Sequence, residues 1–175
     1  CVARVDCRRS LGLREPCERL YSDDPAQRAE SLTDLQRFES AHSEIIAPLL
    51  FSRLGDASAQ VAALADASLA ALGPAALPTL LSEGCLSWAD KDEYGHSIEE
   101  GPCESGPFLE RHPTVFGPAL CAFLNDTELA ISAATAIGKA AGTVCVPLLL
   151  EKTGAEDERL AAEAAYALRI TPTEE

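Results

Sequence analysis

The residues of this 175-residue chain with the most chemistry to offer are seven cysteines and a run of oxygen donors between positions 86 and 112. Within LSWADKDEYGHSIEEGPCESGPFLERH, Asp90, Asp92, Tyr94, Gly95 and then Glu99 and Glu100 follow the start of a calcium loop, in which alternating oxygens and a turn glycine wrap a hard cation. The match departs at three places. Tyr94 stands where a third short oxygen donor belongs, Ile98 comes one position late, and Gly101 occupies the place of the bidentate glutamate. Either Asp90, Asp92, Tyr94, Glu99 and Glu100 ligate calcium, or the segment is an acidic surface loop with Trp88 packed on neighbouring helices.

Nearness in sequence pairs Cys7 with Cys17 and Cys85 with Cys103, the second bridge holding the ends of the acidic loop together. Cys121 and Cys145 either bridge adjacent helices or remain buried thiols. So many cysteines in an acidic chain favour an oxidising, extracytoplasmic compartment over the cytosol. Cys1 has two readings. It resembles the lipid-carrying first residue of a mature bacterial lipoprotein, which would leave six cysteines to pair, or it is a fragment boundary.

Signatures of catalysis are missing. His42, His96 and His112 fall in turns of different segments, with no spacing that sets two on one helical face for a metal. No serine nucleophile elbow, phosphate-cradling glycine loop or zinc-type cysteine spacing occurs. The many carboxylates stand at expected helix caps and solvated faces, where little burial is available to shift their proton affinity. The expectation is a chain that is not an enzyme.

The elements that must position these residues are helices. Residues 115–152 read as VFGPALCAFLND, TELAISAATAIGKAAGT and VCVPLLLEK, three helices joined by turns. Asp126 serves as an N-cap, and Leu129, Ala133, Ala136, Ile137 and Ala140 form one apolar stripe behind it. Gly142 takes a left-handed C-terminal position, and Val144, Val146, Leu148, Leu149 and Leu150 supply the next buried face. Pro48, Pro78, Pro118 and Pro147 recur 30, 40 and 29 residues apart, each in an apolar flank and each expected in a first helical turn. Earlier, Asp24 with Pro25 opens a helix to about Phe38 with Ala29, Leu32, Leu35 and Phe38 buried. A second helix, capped near Ser43, buries Ile45, Ile46, Leu49, Leu50 and Leu54, and a third buries Val61, Leu64, Ala65, Leu69 and Leu72. A last helix, Asp157 to Ile170, buries Leu160, Ala164, Ala167 and Leu168. It either caps the array with a polar face of Arg159, Glu163 and Arg169, or the natural chain continues.

The order of aspartate, alanine-rich helix, glycine, then proline and leucines resembles the short HEAT-like repeats of the phycobilisome-lyase type, over roughly residues 23–85 and 113–170. That resemblance implies an all-α, right-handed α-solenoid of antiparallel helix pairs, the second helices lining the concave side. The array would span 23–175, with the acidic loop 86–112 inserted and a Cys- and Arg-rich leader at 1–22. It also brings an alternative from another class, a lyase or chaperone acting on bilins, although no chromophore-handling residue is identifiable.

Charge narrows the partners. The net charge is −14, and with +2 on residues 1–22 the remainder carries −16, which disfavours nucleic acid. Arg4, Arg8, Arg9, Arg14 and Arg19 of the leader either meet an anionic surface or pair with the chain's own acids. No run of about eighteen apolar residues is apparent, so a lipid on Cys1 is the one expected membrane contact. The expected function is a protein-binding scaffold holding another protein, without a cofactor unless calcium governs the loop.

Overall fold

A computed structural model describes residues 12–38, 42–82 and 105–171, and among them every regular element is helical and none is a strand. Internal contacts divide the chain into two units, Cys1–Thr79 and Leu80–Glu175. The first holds α1 (Arg14–Arg19), α2 (Pro25–Gln36), α3 (Ser43–Phe51), α4 (Ala59–Leu72) and the start of α5 (Leu77–Ser82). The second holds α6 (Ser105–Arg111), α7 (Pro113–Phe123), α8 (Ala130–Ala140), α9 (Val146–Lys152) and α10 (Glu158–Ile170).

Four aspartates start the alanine-rich segments with one geometry. Asp24 accepts from Ala26 N, Asp56 from Ser58 N, Asp126 from Glu128 N and Asp157 from Arg159 N, each at 2.9 Å. Asp24 and Asp157 thereby satisfy first-turn donors as the N-caps of α2 and α10. Asp56 and Asp126 instead close turns ahead of α4 and α8, whose N-caps Ser58 and Leu129 make no side-chain capping bond, which corrects the reading of Asp126 as an N-cap. Asp126 also accepts from Leu129 N, and the turn it closes delays α8 to Ala130.

The prolines fall into two classes. Pro147 lies in the first turn of α9, as expected, and Pro78 is likewise second in α5. Pro48 and Pro118 instead lie inside α3 and α7, which corrects their assignment to first turns. Each ring removes one i to i−4 hydrogen bond, and the carbonyls so released belong to the exposed residues Glu44 and Thr114.

In the first unit α2 packs on α1 and α4, and α3 packs on α4 and on the 3-10 turn Gly73–Ala76. The core is Leu13, Leu20, Leu32, Leu35, Ile46, Leu49, Leu50, Val61 and Leu69. Ile45, Phe38, Leu64 and Leu72, expected inside, are half-buried. Gly73 ends α4 at φ 59° and ψ −143°, a conformation an L side chain resists, in open space where a methyl group would touch nothing. Ala59–Ser82 is a helical run of 24 residues, long and apolar enough to cross a membrane by length and composition alone, although Gln60, Asp66, Ser68 and Thr79 interrupt its apolar residues. Within it Val61, Ala65, Leu69, Ala76 and Leu77 are buried in the chain itself.

In the second unit α8 is central, packed on α6, α7 and α10, while α10 also lies on α9. Small residues allow the approach. A Cβ on Gly138 would stand 2.8 Å from Ala167 Cα and from Ile170 Cγ1, and one on Gly117 would stand 3.3 Å from Ala141 Cα. The C-cap of α8 is Ala141, at φ −100° and ψ −3°, and Gly142 opens a 3-10 turn, so α8 closes without the left-handed residue expected there. The stretch read as a loop over 86–112 ends in α6, whose Phe108 and Leu109 are fully buried. Burial of these two large apolar side chains outweighs the local glycine and proline signals.

Candidate interaction surface

The polar clusters of the first unit are structural brackets. Arg28 places Nε 2.9 Å from Asp56 Oδ2 and Nη2 2.8 Å from Oδ1, while Nη1 donates to Ser22 O at 2.8 Å and Asp23 O at 3.0 Å. Two parallel bonds of this kind are among the stronger charge-assisted contacts. Arg28 holds the Asp56 carboxyl below its ordinary value; burial opposes this, and the Ser58 backbone bond adds to it. A carboxylate so held stays ionised and is a poor proton donor near neutrality. Arg19 pairs with Asp34 and, at 3.1 Å, with Glu30, and Arg14 pairs with Glu18, so the described part of the leader meets the chain's own acids.

In the second unit Thr135 donates to Glu163 Oε2 at 2.9 Å, with both residues buried. This corrects the placement of Glu163 on an outer polar face: α10 turns it toward α8, and Arg159 and Arg169 stay exposed, Arg169 lying 4.9 Å from the Tyr166 ring centre. Cys121 and Cys145 are bonded, with Cα atoms 5.4 Å apart, tying α7 to the turn before α9. Of the two open readings, the bridge is the one adopted.

The second unit also shows an apolar surface that was expected inside. Val144 is 61% and Leu150 59% exposed, because only Cys145, in the turn before α9, and Leu149, within the short α9, turn fully inward. Five aliphatic residues in seven exceed what one helical face can cover, a signal present in the sequence. Val115, Pro118 and Ala122 form an exposed stripe on α7, which runs into a dent of about 260 Å³ lined by Ala122, Phe123, Asn125 and Asp126.

Asp90, Asp92, Tyr94, Glu99 and Glu100 lie outside the described residues, as do Cys1, Cys7, Cys85, Cys103 and His96. Cys17 is buried in α1. His42 and His112 occupy the N-cap positions of α3 and α7, with the His112 ring 4.8 Å from that of Phe108. Among the described residues no group of three or more His, Cys, Asp or Glu is arranged to hold a metal ion. No family model, curated protein or solved structure matches the chain.

Proposed function

We propose that this chain is a protein-binding scaffold without catalytic activity, a right-handed α-solenoid of antiparallel HEAT-like helix pairs that works outside the cytoplasm. A recurring interval supports the solenoid. Arg28 meets Asp56, Thr135 meets Glu163 and the sulfur of Cys145 meets Gly117 O, each pair 28 residues apart, and Gln36 meets Ser68 at 32. Contacts at one repeat length are what stacking of successive helix pairs produces. The register of Pro48 with Pro118 and Gly73 with Gly142 also aligns Phe51 and Ala76 with the bonded Cys121 and Cys145. That bridge supports an oxidising compartment, and a lipid on Cys1 is the proposed anchor. Calcium bound by the acidic loop would add a switch to the same scaffold.

Crosslinking the full chain in a native lysate of its source should trap a discrete partner. Changing Asp90 and Asp92 to Asn and Glu99 and Glu100 to Gln should release it. A chain that traps nothing discrete, or that alters the absorption of an added bilin as a lyase would, overturns the proposal. Intact mass with and without reductant on the natural protein tests the compartment, by counting bridges and weighing any lipid.

A further inference from the structure

The exposed stripe of α7, Val115, Pro118 and Ala122, follows i, i+3, i+7 spacing, and exposed Pro147 of α9 is flanked at three residues on either side by exposed Val144, in the preceding 3-10 turn, and exposed Leu150. The Cys121–Cys145 bridge joins the two stripes. With those Cα atoms 5.4 Å apart, Ala122 and Val144, each adjoining a cysteine, have Cα atoms within about 13 Å of one another. At one end of this surface the dent beside Asp126 is suited to a cation. The last carbonyls of α7 carry the negative end of the helix dipole. Asp126 bonds backbone N–H groups through Oδ1, and its second oxygen can take a further donor. Ala122 and the half-buried Phe123 offer an apolar wall for the stem of a lysine or arginine.

Charge selects the occupant. Residues 80–175 carry 17 acids against 6 bases; Glu128, two residues beyond Asp126, is exposed, and Glu151, next to Leu150, lies 4.0 Å from Lys152. The segment 83–104, with seven acids and one lysine, and a second copy of this acidic chain would both be repelled, as would nucleic acid. We infer that this face binds a basic amphipathic helix of another protein, its apolar side on Val115, Pro118, Ala122, Val144 and Leu150 and one lysine or arginine beside Asp126. This rests on the scaffold function proposed above and specifies the partner's chemistry.

The probe is a fluorescent amphipathic helix of about 18 leucines and lysines, titrated with the full, oxidised chain and followed by anisotropy. A scrambled peptide of the same composition, without an apolar face, and a leucine–glutamate counterpart are the controls. The lysine helix is expected to bind about tenfold or more tightly than the scrambled one, and the glutamate helix not at all. Val144→Asp and Leu150→Asp should each weaken binding about tenfold, and Asp126→Asn, which keeps an Oδ1 acceptor for Glu128 N and Leu129 N, several-fold, with melting temperatures near that of the parent. Equal binding of the scrambled peptide, or undiminished binding by Val144→Asp and Leu150→Asp, overturns the inference. If the lysine helix fails while Val144→Asp still releases the partner trapped in lysate, the scaffold stands and the partner's chemistry is wrong. Loss of both removes the scaffold as well.

Discussion

Thr135 of α8 donates a 2.9 Å hydrogen bond to the buried carboxylate of Glu163 on α10, 28 residues further along the chain. In the other unit Arg28 and Asp56 meet across the same interval. The two contacts are placed differently, since Arg28 near the start of α2 meets the turn ahead of α4, whereas Thr135 within α8 meets the middle of α10. Stability in such an arrangement depends on neighbours, and removing one partner should expose the dependence.

Thr135→Val leaves the Glu163 carboxylate buried without its donor, which should cost about 1–3 kcal/mol in unfolding free energy. Glu163→Gln keeps an acceptor for the threonine and should cost less. Chemical denaturation of both single variants and the double variant measures the coupling. A coupling near zero would mean that the contact does not form.

Asp56 has the clearest pH signature. Its carboxyl is held below the ordinary value by Arg28, so its contribution is fully present above the unfolded carboxylate range and is lost as pH falls through the folded value. Below about pH 4 the parent should therefore lose stability more steeply than Asp56→Asn. At neutral pH the same variant should be less stable than the parent, because Arg28 loses its two-point carboxylate partner. Melting curves from pH 7 to pH 3 check both signs.

Two glycines should fail for different reasons. Gly138→Ala drives a methyl group into Ala167 Cα and the Ile170 side chain, and overpacking of this kind costs about 1–3 kcal/mol. Adding Ile170→Ala should recover only part of that, since the Ala167 backbone remains in the way. Gly73→Ala meets no neighbour, so its cost of about 1–2 kcal/mol comes from φ alone and no second-site truncation should relieve it.

The Cys121–Cys145 bridge closes a loop with a sequence separation of 24, and its removal should cost about 3 kcal/mol. The double variant Cys121→Ala, Cys145→Ala should melt lower than the oxidised parent. Non-reducing peptide mapping should find the two cysteines in one linked fragment. A parent whose mapping shows both as thiols would contradict the structure.

The starts of α2 and α10 were the most legible part of the fold, because the capping bonds of Asp24 and Asp157 span only two or three residues, while Asp126 closes a turn ahead of α8 and caps no helix. The buried faces of α2, α8 and α10 were largely legible from the three- and four-residue spacing of Ala and Leu. Contacts between helices were not. Nothing local to Glu163 shows that Thr135 will face it, and nothing local to Gly138 shows that Ala167 Cα will approach so closely. Pro48 and Pro118 depart from the first-turn preference because an exposed helix edge tolerates a lost hydrogen bond. Of the binding surface, the excess of aliphatic residues around α9 was visible in the sequence, but the outward turn of Val144 and Leu150 depends on how Cys145 and Leu149 dock.

The repeat-by-repeat stacking of helices is tested most directly by a nuclear Overhauser spectrum of the labelled, oxidised chain. The account predicts strong cross-peaks between the α-protons of Gly138 and the α-proton of Ala167, together with Thr135 to Glu163 contacts. A spectrum without those cross-peaks, in which α8 and α10 share no proton contacts, would contradict it.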